Sequence, residues 1–378
     1  MAPTPSSSRR TVLKSLGAAA ALSAVGGRVA ADGHDGDDSP TVEELLSVPD
    51  ELVPENIGFD AEGNLYFGIT AGQLRRLPAD LTDETGLTLD DADLVTDELP
   101  GAAGVEVGPN GDEGEDGGPV YVAGGSSGLV FAVTPDGDVT ELARLVEQGS
   151  GFVNDVVVDA DHDRLLVTES FAGTVYEVPL DDGDDEADGD GGASVFVQSP
   201  LLDTATFGAN GPAIGPGGDL FVAVTRVGEQ DAGGTGRIVR VPVCRKDGHA
   251  GDPSVYVEDE ELFGADGLTA RGEELYVAVN SQNKVTRVTA DRELETVVEG
   301  DPLVFPSEAV FGTKPGQRCD LFVCNFANQT PEAAGILRVP GVGKDDDYGG
   351  DESEAGGPSG GGDDSDDGDD GADAYSDE

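Results

Sequence analysis

The sequence predicts an all-β fold: a six-bladed β-propeller of four strands per blade, closed by an N-terminal strand. Three observations predict it. One strand–turn–strand unit recurs six times, with turn starts 41 to 56 residues apart. Each copy is followed by a third strand, and most by a fourth, more polar one. A spare strand stands ahead of the first copy. Short strands repeating at such a long period are the mark of propeller blades, and a β-sandwich leaves that period unexplained.

The first copy runs from Pro54 to Gly68, where an apolar strand enters a polar turn at Asp60 and a second strand leaves it. Later turns begin at Gly108, Asp159, Gly215, Arg271 and Gly312. Second strands follow at Val120–Ala123, Leu165–Thr168, Leu220–Val224, Leu275–Val279 and Leu321–Cys324. Third strands are expected at Gln73–Leu77, Gly128–Val133, Gly173–Val178, Gly236–Val241, Lys284–Val288 and Gly335–Val339. Fourth strands are expected at Glu141–Val146, Ser194–Gln198, Ser254–Glu258 and Leu294–Val298. The sixth copy stops after its third strand, at Val339-Pro340. The spare strand, Val42–Val48, is therefore expected to complete the sixth blade and lock first repeat to last, removing an open sheet edge.

The chain of 378 residues carries 77 acidic against 21 basic side chains, a net charge of -56. Nucleic acid and anionic lipid surfaces are poor partners for such a charge. With five Lys against 16 Arg and acid spread along the chain, the composition reads as that of an extreme halophile. Multimolar salt screens charge beyond about 3 Å, so self-repulsion costs little there. Residues 1–31 read as a twin-arginine-type signal. Ser8-Arg9-Arg10-Thr11-Val12-Leu13-Lys14 precedes the apolar stretch Leu16–Val25 and the small-residue site Arg28-Val29-Ala30-Ala31. The expected product is secreted, with no membrane span in its mature form. Residues 32–40 form an acidic linker, 41–343 the propeller, and 344–378 an acidic Gly/Asp/Ser tail with almost nothing to bury. Three Cys give no disulfide framework; Cys319 and Cys324 are expected as buried thiols on one strand.

In a propeller the innermost strand of every blade lines the axis, so one register of those strands meets at one height. The residues five before each turn start are Glu55, Ala103, Asn154, Asn210, Asp266 and Ser307. Only nine Asn occur in the chain, yet two fall in these six slots. Two carboxylates and two amide carbonyls suit a hard cation that takes six to eight oxygens. Zinc wants His or Cys, and neither occupies the ring. Asn210-Gly211 and Asp266-Gly267 also read as ordinary turn dipeptides, and so can Asn154-Asp155.

Glu55, Asn154, Asn210 and Asp266 follow the order Glu, Asn, Asn, Asp with one blade skipped. In this the chain resembles, over roughly Val42 to Pro340, the calcium-dependent six-bladed propellers that include regucalcin and the gluconolactonases, with diisopropylfluorophosphatase and the paraoxonases as cousins. The resemblance implies a catalytic divalent metal, calcium or another hard cation, held by these four residues. It further implies hydrolysis of a small-molecule lactone or related ester, with the metal polarising the carbonyl and Asp266 as base or nucleophile. The position two before Asn154, where lactonases of this group carry an arginine for a sugar acid, holds Phe152. The paraoxonase histidine pair has no counterpart, since His34, His162 and His249 fall in linker, hairpin turn and outer loop.

The second strands return toward the ligand end, so the residues just beyond them are candidates for a pocket rim: Thr70, Ser126, Glu169, Phe171, Arg226, Gln282 and Phe326. Phe171 and Phe326 suit an apolar wall, Arg226 an anionic substrate, and Phe152 and Ser307 complete the candidate pocket. Gly124-Gly125-Ser126-Ser127-Gly128 fits the serine-hydrolase pattern, but joins two strands without a histidine and reads as a turn. A monomer is expected. The alternative function is a non-catalytic propeller in which calcium rigidifies the channel while the rim binds a ligand or partner protein.

Overall fold

The computed structural model describes residues 40–109, 117–180, 192–215, 217–227 and 234–343. The signal, nearly all of the linker, the acidic tail and the runs Asp112–Asp116 and Asp181–Asp190 lie outside the described residues.

Six antiparallel sheets form the blades. Blade 1 consists of Pro54–Phe59, Leu65–Ile69, Gln73–Leu77 and Asp93–Thr96. Blade 2 is Gly104–Val107, Val120–Ala123, Leu129–Val133 and Val139–Arg144, and blade 3 is Val153–Asp159, Arg164–Glu169, Thr174–Pro179 and Ser194–Gln198. Blade 4 is Ala209–Ile214, Leu220–Val227, Thr235–Val241 and Ser254–Asp259, and blade 5 is Ala265–Arg271, Glu274–Val279, Lys284–Val288 and Leu294–Glu299. Blade 6 takes Pro306–Phe311, Leu321–Asn325 and Gly335–Val339 from the C-terminal side.

Burial is greatest at the second strands and falls outward from them, and this explains the polarity of the fourth strands. Every residue of Leu65–Ile69, Val120–Ala123 and Leu321–Asn325 is buried, because second strands are covered by a neighbouring blade on both faces. Ser194–Gln198 and Ser254–Asp259 have no buried residue. The core is a set of seams between blades. Leu46, Ile57, Phe67 and Phe322 join blades 6 and 1. Val122 and Phe131 meet Tyr66 and Leu74 between blades 1 and 2, and Phe221 and Ile238 meet Leu268 and Val277 between blades 4 and 5.

The ring closes as expected: Glu43–Ser47 pairs antiparallel with Gly335–Val339, with Leu46 opposite Ile336. A second clasp was not legible beforehand. Between its third and fourth strands, blade 1 sends out a loop whose Leu87–Thr88 pairs parallel with Glu43–Ser47, making a fifth strand on blade 6. Gln317 of blade 6 donates to the Thr82 carbonyl (3.0 Å) and Asp83 Oδ1 (2.6 Å), and Lys314 reaches Asp83 at 2.6 Å. The thiols depart from expectation. Cys324 is buried, but Cys319 lies in the turn ahead of that strand and is only partly buried, and Cys244 is exposed.

Candidate functional site

Each inner strand begins at one end of the channel, and five of the six break their ladder there. The register shifts between Pro54 and Asn56, Val153 and Val156, Ala209 and Pro212, Ala265 and Leu268, and Pro306 and Glu308. Glu55, Asn154, Asn210, Asp266 and Ser307 all lie inside these irregularities. Bulges re-aim side chains that strict alternation would send to opposite faces, and they recur beside functional sites. Blade 2 carries Ala103 at this height and its ladder is unbroken.

Hydrogen bonds tie the positions together around the ring. The Ser307 hydroxyl donates to the Glu55 carbonyl at 2.5 Å, linking blades 6 and 1. Asn154 Nδ2 donates to Ser170 Oγ at 2.8 Å, and Ser170 Oγ donates to the Ala209 carbonyl at 2.6 Å, linking blades 3 and 4. Asn210 Nδ2 donates to Thr225 Oγ1 at 3.1 Å. Asn280 Nδ2 holds Asp266 Oδ2 at 2.7 Å. Asn154 and Asn210 each anchor the NH₂ group on a hydroxyl of the wall, and Asn210 also hydrogen-bonds the Asp266 carboxyl.

The electrostatics are those of an uncompensated acidic cage. Burial pushes the Asp266 carboxyl up to about 7, against the pull of Asn280, Asn210 and Arg226. Burial, then the charges of Asp266 and Asp155, hold Glu55 well above the ordinary carboxylate range. Glu55 Oε2 is sealed from solvent with no hydrogen-bond partner. A buried carboxylate oxygen without a donor costs several kcal/mol unless it is protonated or meets a cation. Among the described residues no three His, Cys, Asp or Glu side chains form a metal cluster by themselves, and this set draws half its donors from Asn. An all-oxygen set of two carboxylates and two amides, with an orphaned oxygen among them, fits a hard divalent cation.

Sequence reasoning missed a second tier in the channel. Asn56 Nδ2 donates to both Asp155 Oδ1 and Glu308 Oε2 at 3.2 Å. Asp155 is pushed up to about 8, chiefly by burial, and nearby Glu106 to about 7 for the same reason. Three glycines share this register and make room for the larger groups. A Cβ at Gly104 would strike Asp155, and one at Gly267 would lie 2.5 Å from the Glu308 carboxyl. The signal was present: Asn56, Asp155 and Glu308 each follow a ring residue directly, but Asn-Gly and Asp-Gly at the same register read equally as turns.

The rim candidates divide. Phe152 and Phe171 stand with centroids 6.3 Å apart, and Phe207, which the sequence reading passed over, lies 5.6 and 5.2 Å from them. Glu169 is buried and does not face a ligand, since its carboxylate accepts the N–H groups of Phe152, Phe171 and Ala172. Gln282 is partly exposed and donates to the Glu260 and Phe263 carbonyls at 3.0 Å. Phe326 packs on Phe305 at 5.8 Å. Arg226 lies 5.5 Å over the Phe263 ring and donates to Ser281 Oγ at 3.3 Å, and its Nε is buried without a partner. Thr70 and Ser126 sit in turns; Ser126 is exposed, between the strands of a tight hairpin held by Ser127 Oγ on the Gly124 carbonyl (2.8 Å). His162 is held by Asp159 at 3.0 Å, at the far end of the inner strand from Asn154.

No protein-family model and no curated protein matches the chain. Solved structures do match in fold. A luciferin-regenerating enzyme aligns at TM-score 0.59 and 16% identity, over 81% of this chain and 96% of its own. The gluconolactonase of Xanthomonas campestris aligns at TM-score 0.56 and 15% identity, over 79% and 88%. The calcium-binding protein regucalcin of Agrobacterium tumefaciens aligns at TM-score 0.54 and 16% identity, over 78% and 95%. The resemblance read from the ring residues thus meets its counterpart in three dimensions: this chain has the six-bladed propeller fold of gluconolactonase, regucalcin and luciferin-regenerating enzyme.

Proposed function

We propose that the chain is a calcium-dependent hydrolase of lactones or related esters, exported by the twin-arginine route into a high-salt medium. The observation that carries the reading is the orphaned Glu55 Oε2, buried beside Asp266 at the channel end where the Asn154 and Asn210 amides are anchored. Glu55, Asn154, Asn210 and Asp266 would hold the cation, which when bound supplies a Lewis acid for an ester carbonyl and a counter-charge for its developing oxyanion. The gluconolactonase and the calcium-binding regucalcin among the fold's solved relatives support the same reading. Export rests on the Arg9-Arg10 motif and the apolar stretch behind it. No helix among the described residues is long and apolar enough to cross a membrane.

The protein's own groups divide the work. Asn280 fixes Oδ2 of Asp266, and the carboxylate is the proton acceptor for an attacking water. As the water oxygen bonds to the acyl carbon, the acyl carbon–alkoxy oxygen bond breaks. The proton held on Asp266 then passes to the leaving alkoxide. Ser170 and Thr225 keep the two amides from turning as substrate enters.

The test is hydrolysis of simple lactones by the purified protein in multimolar salt. Asp266→Asn or chelation by EDTA should remove at least 99% of the rate, on the order of the hundredfold or more that a positioned base contributes. Full activity surviving either treatment would reject the mechanism. Tight calcium binding with no turnover across an ester and lactone panel would leave a calcium-stabilised binding propeller in its place.

A further inference from the structure

We propose that the channel mouth selects substrates with a bulky apolar or aromatic body and an anionic group, the body resting on Phe152, Phe171 and Phe207 and the anion paired with Arg226. The proposal deepens the hydrolase reading and rests on it for the reacting bond, but recognition can be measured without turnover.

The chain has 13 Phe, seven Tyr and no Trp, yet three Phe rings gather at the site ends of blades 3 and 4. All three remain partly exposed. Phe152 lies two residues before Asn154, Phe171 follows the Ser170 that anchors Asn154, and Phe207 lies three residues before Asn210. Their backbones are held in place: Glu169 Oε1 accepts from Phe152 N and Phe171 N at 3.0 Å, and Gly208 N donates to the Ser170 carbonyl at 3.0 Å. A partly wet aromatic surface held in place beside the reactive cluster gains by covering itself with an apolar ligand.

Arg226 supplies the second half of the pattern. It follows Thr225, the partner of Asn210, and its charge is felt by Asp266. Phe263 and Ser281 hold its guanidinium, and the side chain stays partly exposed. In a chain with 77 acidic side chains, a partly exposed cation fixed beside the site is a place for a ligand's carboxylate.

The test compares 4-carboxyphenyl acetate, phenyl acetate and ethyl acetate on the calcium-loaded protein. Wild type should prefer them in that order by kcat/KM. Arg226→Gln should lower the ratio of kcat/KM for 4-carboxyphenyl acetate to that for phenyl acetate at least tenfold, whatever the loss of Arg226 does to the Asp266 base common to both. Phe207→Leu should weaken both aryl esters and leave ethyl acetate unchanged. Arg226→Gln acting equally on all three esters, or on none, overturns the proposal. Should no ester be hydrolysed, calorimetry with 4-hydroxybenzoate and phenol decides alone. Binding of the acid that Arg226→Gln weakens tenfold upholds the recognition, while wild type that does not bind the acid more tightly than phenol overturns it.

Discussion

Glu55 carries the plainest conflict at the residue scale, because its carboxylate is buried against Asp266 and one of its oxygens has no donor. Such a group burdens the cation-free protein and serves the loaded one. Glu55→Gln should therefore weaken calcium binding at least tenfold, about 1.4 kcal/mol. In EDTA at pH 8 the same variant should melt no lower than wild type, because it removes a repulsion. Calorimetric calcium titration and thermal melts check the two halves; unchanged affinity with a lower metal-free melting temperature would assign Glu55 a purely structural role. The ring itself was legible in the sequence, since Asn is scarce and two Asn share one register with Glu55 and Asp266. Glu169 was not, because its position beyond a second strand says where it lies but nothing of the three N–H groups that turn it inward.

At the scale of the strand, the informative feature is the broken ladder at the start of five inner strands. Alternation of side chains, the basis of any strand reading, predicts that Asn154 and Asp155 face opposite ways. The register shift between Val153 and Val156 cancels that rule, so Asp155 joins the channel and bonds Asn56. A bulge leaves little trace in composition, which is why the second tier stayed hidden while most of the strands were read to within a residue or two. The glycines of this register give a direct check. Gly267→Ala places a methyl 2.5 Å from the Glu308 carboxyl and from the Ser307 carbonyl, the second of them backbone, and should cost about 1–3 kcal/mol. Gly58 sits in the same kind of strand with its nearest neighbours at 3.4 Å, so Gly58→Ala should cost less than about 1 kcal/mol. Denaturant melts of the two variants should differ accordingly, and equal losses would show that the second tier is not tightly packed.

Over the whole molecule, sixfold closure gathers carboxyls that lie far apart along the chain, and their joint titration follows from that closure. The closing strand was legible because the last repeat lacks a fourth strand. The Leu87–Thr88 clasp was not, since a two-residue strand has no periodicity to read. Closure puts Asp155, Glu106 and Glu308 out of water, where burial raises Asp155 to about 8, Glu106 to about 7 and Glu308 well above the usual range. Unfolded, each titrates near pH 4. The folded protein therefore holds more protons between those limits. The stability these groups confer is fully present below the unfolded value and is lost as pH rises through the folded one. In EDTA and constant multimolar salt, which screens the surface charge, the melting temperature should fall between pH 5 and pH 8.5. Asp155→Asn should flatten the fall, because an amide keeps one donor and loses no proton. Calcium should raise the melting temperature more at pH 8 than at pH 5, since at the lower pH it must displace protons from Glu55 and Asp266 to bind. A melting temperature that is level or rises with pH in EDTA would mean that these carboxyls are solvated in the folded channel, and the enclosed ring would have to be abandoned with them.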